Sequence, residues 1–422
     1  MAYERKTIYV YENWSDREPR FLGILYAEQT RGTEHFSFEY AEDYLREKHA
    51  LIAIDPELML LPGRQYVKGK PNFGVFSDSA PDRWGRTLMD RKERSRARRA
   101  GEKPRRLTES DYLLGLCDKT RMGALRFAAE KGGPFLSDDE EDAIPPWTSL
   151  RTLEEAARQF EKDENGLDDR WLNQLLQPGS SLGGARPKAT VRDADGSLWI
   201  AKFPSKHDEM NTGAWEKTVH DLAERCGLHI PPSRLETFTR DGSTFLVKRF
   251  DREGERRIHF ASAMTLLGKT DGASSADGSA YYEMAEYLRA FGSDPKRDLP
   301  ELWKRVVFNM AVSNTDDHLR NHGFLLERKG WRLSPAYDVN PVPYGDELSL
   351  NVAPGDNAID IDLAIETCDY YGLNRSEAEI LADRICCVVR ESWEAVAARC
   401  GIGRSEIEQM RPAFLASEWR KR

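Results

Sequence analysis

Short runs in which apolar and polar residues alternate open the chain. Lys6–Tyr11 and Phe21–Tyr26 read as strands, and His35–Tyr44 alternates Phe36, Phe38 and Tyr40 before turning polar. The stretch from Asn72 to Gly85 leads into a basic helix, with Ser79 or Asp82 as the residue that caps its start. An acidic, proline-containing segment, Leu136–Trp147, reads as a surface linker. A helix over Thr152–Glu161 then precedes a glycine-rich segment at Pro178–Lys188. Ala189–Val191 and Leu198–Phe203 flank Asp193-Ala-Asp-Gly196, which has hairpin-turn chemistry. Asp208–Cys226 reads as a helix closed by Gly227, and Thr244–Phe250 as a strand.

From about residue 260 the period changes. Leu302, Val306 and Met310 recur every four residues beside Trp303 and Val307, and further helices are expected at Ser376–Cys400 and Arg404–Trp419. The order predicts an α+β protein: a β-rich segment with helices (1–135), a mixed segment (150–255) and a helical lobe (256–422).

Composition narrows the class. With 40% hydrophobic and 32% charged residues among 422, the chain is an ordinary globular protein. No run of about 18 apolar residues is present, no signal-peptide core follows Met1, and the cytoplasm is the expected compartment. Six scattered cysteines without C-x-x-C spacing predict reduced thiols, not a disulfide framework or zinc ribbon. The net charge of −9 argues against a surface that grips DNA throughout. One segment opposes that trend. Arg91–Arg106 is dominated by Arg and Lys, and reads either as a solvated face or as contact with nucleic acid or an acidic partner.

Three segments are spaced as a nucleotide-phosphate site requires. In Ser180-Ser-Leu-Gly-Gly-Ala-Arg-Pro-Lys188, consecutive glycines let backbone N–H groups approach phosphate oxygens, although a plain turn would also explain them. Lys202 stands in an apolar strand with Ile200 on its face, where a buried ammonium needs an anionic partner; the bland alternative is a solvated edge lysine. Glu216 in the following helix is a candidate partner, with Glu209 and Glu224 as competitors.

The third segment, Phe308–Gly323, runs from an apolar helix into a loop dense in Asp, His and Asn. Asp316 and Asn321 have the D-x-x-x-x-N spacing of a kinase catalytic loop, and Asp338 follows a hairpin where a metal-binding Asp would stand. Asp317 competes with Asp316 for the base, and the spacing to Asn321 favours Asp316. His318 and His322 also stand four apart, which admits a zinc hydrolase as a rival.

Together SSLGGARPKA, WIAKFP, FLVKRFDR, FNMAVSNTDDHLRNHGF and LSPAYDVNP resemble the HipA-type kinases, and NFGVFSDSAPDRWGR resembles that family's N-terminal domain. The resemblance implies a bilobal protein-kinase-like fold and a Ser/Thr kinase that uses ATP and Mg²⁺. By it, Asp316 is the catalytic base, while Asn321 and Asp338 are the metal ligands. Ser181, Gly183, Gly184, Ala185, Lys202, Lys248, Phe250 and His318 line the ATP site. Ser181, with Ser180 as second candidate, would be autophosphorylated. Some relatives carry Glu where Lys248 stands, so its role falls mainly to backbone groups. The resemblance further implies a HipB-like helix-turn-helix antitoxin, operator DNA held through that complex, and an aminoacyl-tRNA synthetase as substrate. The non-enzymatic alternative is an ATP-binding pseudokinase or transcriptional co-regulator.

Overall fold

A computed structural model describes residues 4–15, 18–47, 52–136, 144–162, 175 and 184–420. The chain divides into two compact units, Met1–His207 with Lys248–Ala261, and Asp208–Val247 with Ser262–Arg422.

The first unit begins with an antiparallel sheet of β1 (Glu4–Glu12), β2 (Arg20–Thr30), β3 (Thr33–Tyr40), β4 (Gln65–Tyr66) and β5 (Leu125–Ala128), in the order β4-β3-β2-β1-β5. Ile8 and Val10 of β1, and Phe36, Phe38 and Tyr40 of β3, are buried at alternate positions, as period-2 patterning requires. Strand β3 stops at Tyr40, where the aromatic alternation turns polar. Helix α1 (Glu42–Arg46) follows, since Glu42 and Asp43 suit a helix N-terminus and Arg46 pairs with Glu42 at 2.9 Å.

A short helix, α2 (Gly74–Asp78), precedes α3 (Arg83–Ala100); Phe76 of α2 packs on Phe38 at 5.4 Å and Phe127 at 6.1 Å. Asp82 caps α3, whereas Ser79 closes α2, which decides between the two cap candidates. Gly101 ends α3 at φ +67°, a conformation that favours glycine. Helix α4 (Glu109–Gly115) starts in a Thr108/Asp111 capping box, and α5 (Leu150–Lys162) buries Leu150, Leu153, Ala157 and Phe160 on one face. Strands β6 (Lys188–Arg192) and β7 (Leu198–Lys202) form the expected hairpin, closed by Asp193 and Ser197.

The second unit is mainly helical. Helix α6 (Thr212–Arg225) starts only where Asn211 accepts from the Ala214 N–H, four residues later than the sequence pattern. Then come the paired strands β8 (Ser233–Glu236) and β9 (Thr244–Lys248), α7 (Ala263–Leu266), α8 (Tyr281–Phe291) and α9 (Pro295–Ala311). A hairpin of β10 (Gly323–Glu327) and β11 (Gly330–Leu333) interrupts the helices, followed by α10 (Ile361–Glu366), α11 (Arg375–Arg399) and α12 (Arg404–Met410). The periodic residues of α9 are its buried face: Leu302, Trp303, Val306, Val307 and Met310. Trp303 donates to the Ala364 carbonyl at 2.8 Å, which satisfies its indole N–H inside the core. The six cysteines form no disulfide, and no described helix is long and apolar enough to cross a membrane.

Candidate functional site

Helix α9 delivers its last residues into the polar loop, and the buried groups there are hydrogen-bonded to one another. Asp317 Oδ2 accepts from Tyr281 Oη at 2.7 Å and Asn309 Nδ2 at 2.6 Å, and lies 2.8 Å from His322 Nε2. Asn314 donates to Asn309 Oδ1 at 3.1 Å and accepts from the Asn340 N–H at 3.2 Å. Burial, with Asp317 alongside, pushes the Tyr281 phenol well above its ordinary range, so it stays a donor. Asp317 is therefore an interior anchor for the loop.

Its neighbour has the opposite environment. Asp316 is exposed, and its backbone carbonyl accepts from the His318 N–H at 3.0 Å and Asn321 Nδ2 at 3.1 Å. The Asn321 amide is thereby held against the residue that carries the exposed carboxylate. Its nitrogen is committed, which leaves Oδ1 as the donor atom for a hard cation.

The segment after β11 packs against the same loop. Asp338 sits at φ +58° and Ser313 at φ +49°, left-handed conformations that cost a non-glycine residue about 1–3 kcal/mol and persist only where packing enforces them. Ser313 accepts from the Val342 N–H at 3.0 Å, and Ser349 donates to the Thr315 carbonyl at 2.6 Å. Gly345 approaches so closely that an added Cβ would run into Thr315. Asp338 is half-buried.

The donor set suits one kind of metal. Among the described residues no group of three or more His, Cys, Asp or Glu could hold an ion, and His322 is engaged with Asp317. That does not fit a structural or catalytic zinc site. One amide oxygen and one carboxylate fit Mg²⁺, which keeps waters and takes its remaining ligands from nucleotide phosphates.

In the first unit, Lys202 is buried at 8% exposure, not solvated as the bland reading has it. Lys248 is 3.9 Å from Asp195, and Phe250 packs near Phe260 at 6.2 Å. Between them Arg249 binds Asp251 at 2.7 Å and the Thr120 carbonyl at 2.6 Å, while Asp251 accepts from the Gly123 N–H at 2.8 Å. Burial alone would raise the Asp251 carboxyl, yet Arg249 and Arg252 beside it hold it down at about 2. The FDR stretch is thus fastened to residues 120–123 by buried, hydrogen-bonded charge. The sequence pointed to Lys248 and Phe250 and passed over these residues, whose partners lie more than 120 positions away.

Gly184 and Ala185 are exposed, while Ser180, Ser181 and Gly183 lie outside the described residues. Of the three acids considered for Lys202, Glu216 is buried at 4%, whereas Glu209 and Glu224 are exposed. On α3, Lys92, Arg94, Arg96, Arg98 and Arg99 are exposed, as are Lys103, Arg105 and Arg106 beyond it.

A β-rich and mixed unit followed by a helical unit with a polar loop and hairpin is an α+β fold of the protein-kinase-like HipA type. The chain belongs to the HipA-like C-terminal domain family, which matches residues 180–393, just over half of its length. The structure is similar to HipA of Shewanella oneidensis MR-1, solved with HipB and its operator DNA, with a TM-score of 0.67 and 16% identity over 97% of this chain and 96% of that one. Two proteins of Sinorhizobium fredii are similar in sequence. "Putative kinase Y4dM" is 26% identical over 73% of this chain and 72% of its own length. "Putative kinase Y4mE" is 30% identical over 39% of this chain, and the match spans 43% of that protein.

Proposed function

We propose that the protein is a Mg-ATP-dependent Ser/Thr protein kinase that acts as the toxin of a toxin–antitoxin pair. The observation that carries this reading is the split between neighbouring aspartates. Asp317 is consumed by interior hydrogen bonds, while Asp316 is exposed on a loop whose Asn321 is tied to it. Phosphoryl transfer asks the protein for little covalent chemistry and much positioning.

In the proposed reaction a serine hydroxyl attacks the γ-phosphorus of ATP in line, and the bond to the β-phosphate oxygen breaks to release ADP. Asp316 orients the hydroxyl and takes its proton. Lys202 faces the ATP phosphates, and the glycine-rich backbone around Gly183, Gly184 and Ala185 cradles them. The backbone at Lys248 and Phe250 meets the adenine, and His318 lines the site. Asn321 Oδ1 and the Asp338 carboxylate would hold Mg²⁺, which supplies charge neutralisation on the phosphate oxygens when bound.

Autophosphorylation at Ser181, or at Ser180, would add roughly 1.5–2 negative charges to that cradle and repel nucleotide. For partners, we infer a HipB-like antitoxin, operator DNA bound through their complex with the exposed cations of α3 beside it, and an aminoacyl-tRNA synthetase as substrate. Kinship with a HipA that is solved with HipB and operator DNA supports the first two.

The test is labelling of host-cell lysate with γ-labelled ATP and Mg²⁺ by wild type and Asp316→Asn. One lysate band that is labelled by wild type and lost in the mutant is expected. No label from a folded wild-type protein would favour the pseudokinase or co-regulator.

A further inference from the structure

The Asp82-Arg-Trp-Gly85 stretch opens α3, yet its side chains are used about a hundred residues further along the chain. Asp82 divides its two carboxylate oxygens. Oδ1 accepts from the Gly85 N–H at 2.8 Å and caps the helix, while Oδ2 accepts from Lys188 Nζ at 3.0 Å. Both side chains are buried, at 0% and 1% exposure. Lys188 Nζ also donates to the Gly184 carbonyl at 2.7 Å, and the same carbonyl accepts from the Trp84 N–H at 3.3 Å. Trp84 Nε1 in turn donates to the Lys188 carbonyl at 3.1 Å, and its ring is set edge-on against Phe160 of α5 at 5.2 Å.

The start of α3 therefore holds both ends of the Gly184–Lys188 stretch, the exit of the glycine-rich segment into β6. The charges make the arrangement more than a tether. Lys188 and Lys202 are direct partners in the β6–β7 register, so their side chains leave the same face of the hairpin. Two ammonium groups so placed repel each other, and a buried one is costly unless paired. Asp82 neutralises Lys188 and turns its ammonium toward the Gly184 carbonyl.

We propose that Asp82 is a positioning residue for phosphate binding: through Lys188 it fixes the Gly184 end of the glycine-rich segment relative to Lys202. The proposal rests on the reading of that segment as the cradle for ATP phosphates. It gives the SDSAPDRWGR motif a task in nucleotide binding although none of its side chains need touch nucleotide.

The experiment compares wild type, Asp82→Asn and the double variant Asp82→Asn/Lys188→Met. Calorimetry would measure affinity for Mg-ATP and for adenosine, and a thermal melt would accompany each. Asn keeps the helix cap but leaves the Lys188 ammonium without a carboxylate; the double variant removes both charges. Adenosine has no phosphate and reports only the base and ribose contacts.

The expected result is a double variant that melts near wild type and binds adenosine within about twofold, while its Mg-ATP affinity falls roughly tenfold or more, the scale of one charged hydrogen bond removed. Unchanged Mg-ATP affinity in the double variant would overturn the proposal. So would a parallel loss of both ligands together with melting temperature, which marks a purely structural pair. A wild-type protein that binds Mg-ATP no more tightly than adenosine would remove the phosphate-cradle reading itself, and that failure shows before any substitution is made.

Discussion

Two neighbouring aspartates should respond to substitution in opposite ways. Replacing Asp317 by Ala leaves Tyr281 Oη and Asn309 Nδ2 without the acceptor at 2.7 and 2.6 Å, and His322 without its contact at 2.8 Å. Each abandoned buried polar group costs about 1–3 kcal/mol, and partial relaxation keeps the sum below three full penalties. A loss of about 3–6 kcal/mol is expected. Asp316 is exposed, so Asp316→Ala should stay within about 0.5 kcal/mol of wild type while phosphoryl transfer collapses. Urea unfolding followed by tryptophan fluorescence is a suitable assay, because Trp303 and Trp331 are fully buried in the same unit. With a slope of about 3 kcal/mol per molar urea, the Asp317 variant should unfold at least ~1 M earlier. An Asp317→Ala protein that unfolds with wild type while Asp316→Ala is the destabilised one would refute the assignment of the two roles.

Other parts of the molecule make separate demands. Burial lowers the His259 imidazole to about 3, against Trp14 stacked at 4.5 Å, so the folded protein refuses a proton that the unfolded chain accepts near 6.5. Stability is then full above pH 6.5 and falls toward pH 3, with a slope approaching ~1.4 kcal/mol per pH unit that His259→Phe should flatten in pH-dependent melts. Asp251→Asn strands Arg249 and Arg252 in the interior and should cost about 3–5 kcal/mol in the same melts. Neutralising Lys92, Arg94, Lys103 and Arg106 should reduce the salt dependence of operator binding by the antitoxin complex, by about 0.9 in log–log slope for each phosphate that the protein no longer neutralises; an unchanged slope would remove α3 from the DNA interface. Protein phosphorylated at Ser181 should bind Mg-ATP more weakly than unmodified protein in calorimetry, and equal affinity would end the self-inhibition idea.

Features set by near neighbours were legible in the sequence. The four-residue period of Leu302, Val306 and Met310 marks α9, and turn residues at 193–196 mark the β6–β7 hairpin. Both depend on residues within one or two turns of chain. The loop at 313–322 stands out in the sequence for the same reason, since its Asp, His and Asn residues and their five-residue spacing lie within ten positions. Spacing alone favoured Asp316 over Asp317; the environment that separates them needs Tyr281, 36 positions away, and the burial of one carboxylate beside the exposure of the other.

The remainder depends on distant partners. Lys188 lies in the SSLGGARPKA motif, but its ion pair with Asp82 spans 106 residues and leaves no local trace. Neither does the fastening of Arg249 and Asp251 to residues 120–123. Tyr44 stands in step with the aromatic pattern of β3, yet its ring is buried from α1, stacked on Tyr40 with centroids 6.0 Å apart.

Phosphoryl transfer that depends on Asp316 can be measured on purified, dephosphorylated protein without knowledge of the cellular target. Incubation with γ-labelled ATP and Mg²⁺, followed by mapping of the label, should show wild type modified at Ser181 or Ser180, with the rate in Asp316→Asn lower by roughly a hundredfold or more. Equal labelling in the mutant would remove Asp316 as the base, and none in a folded wild-type protein would remove the kinase activity itself.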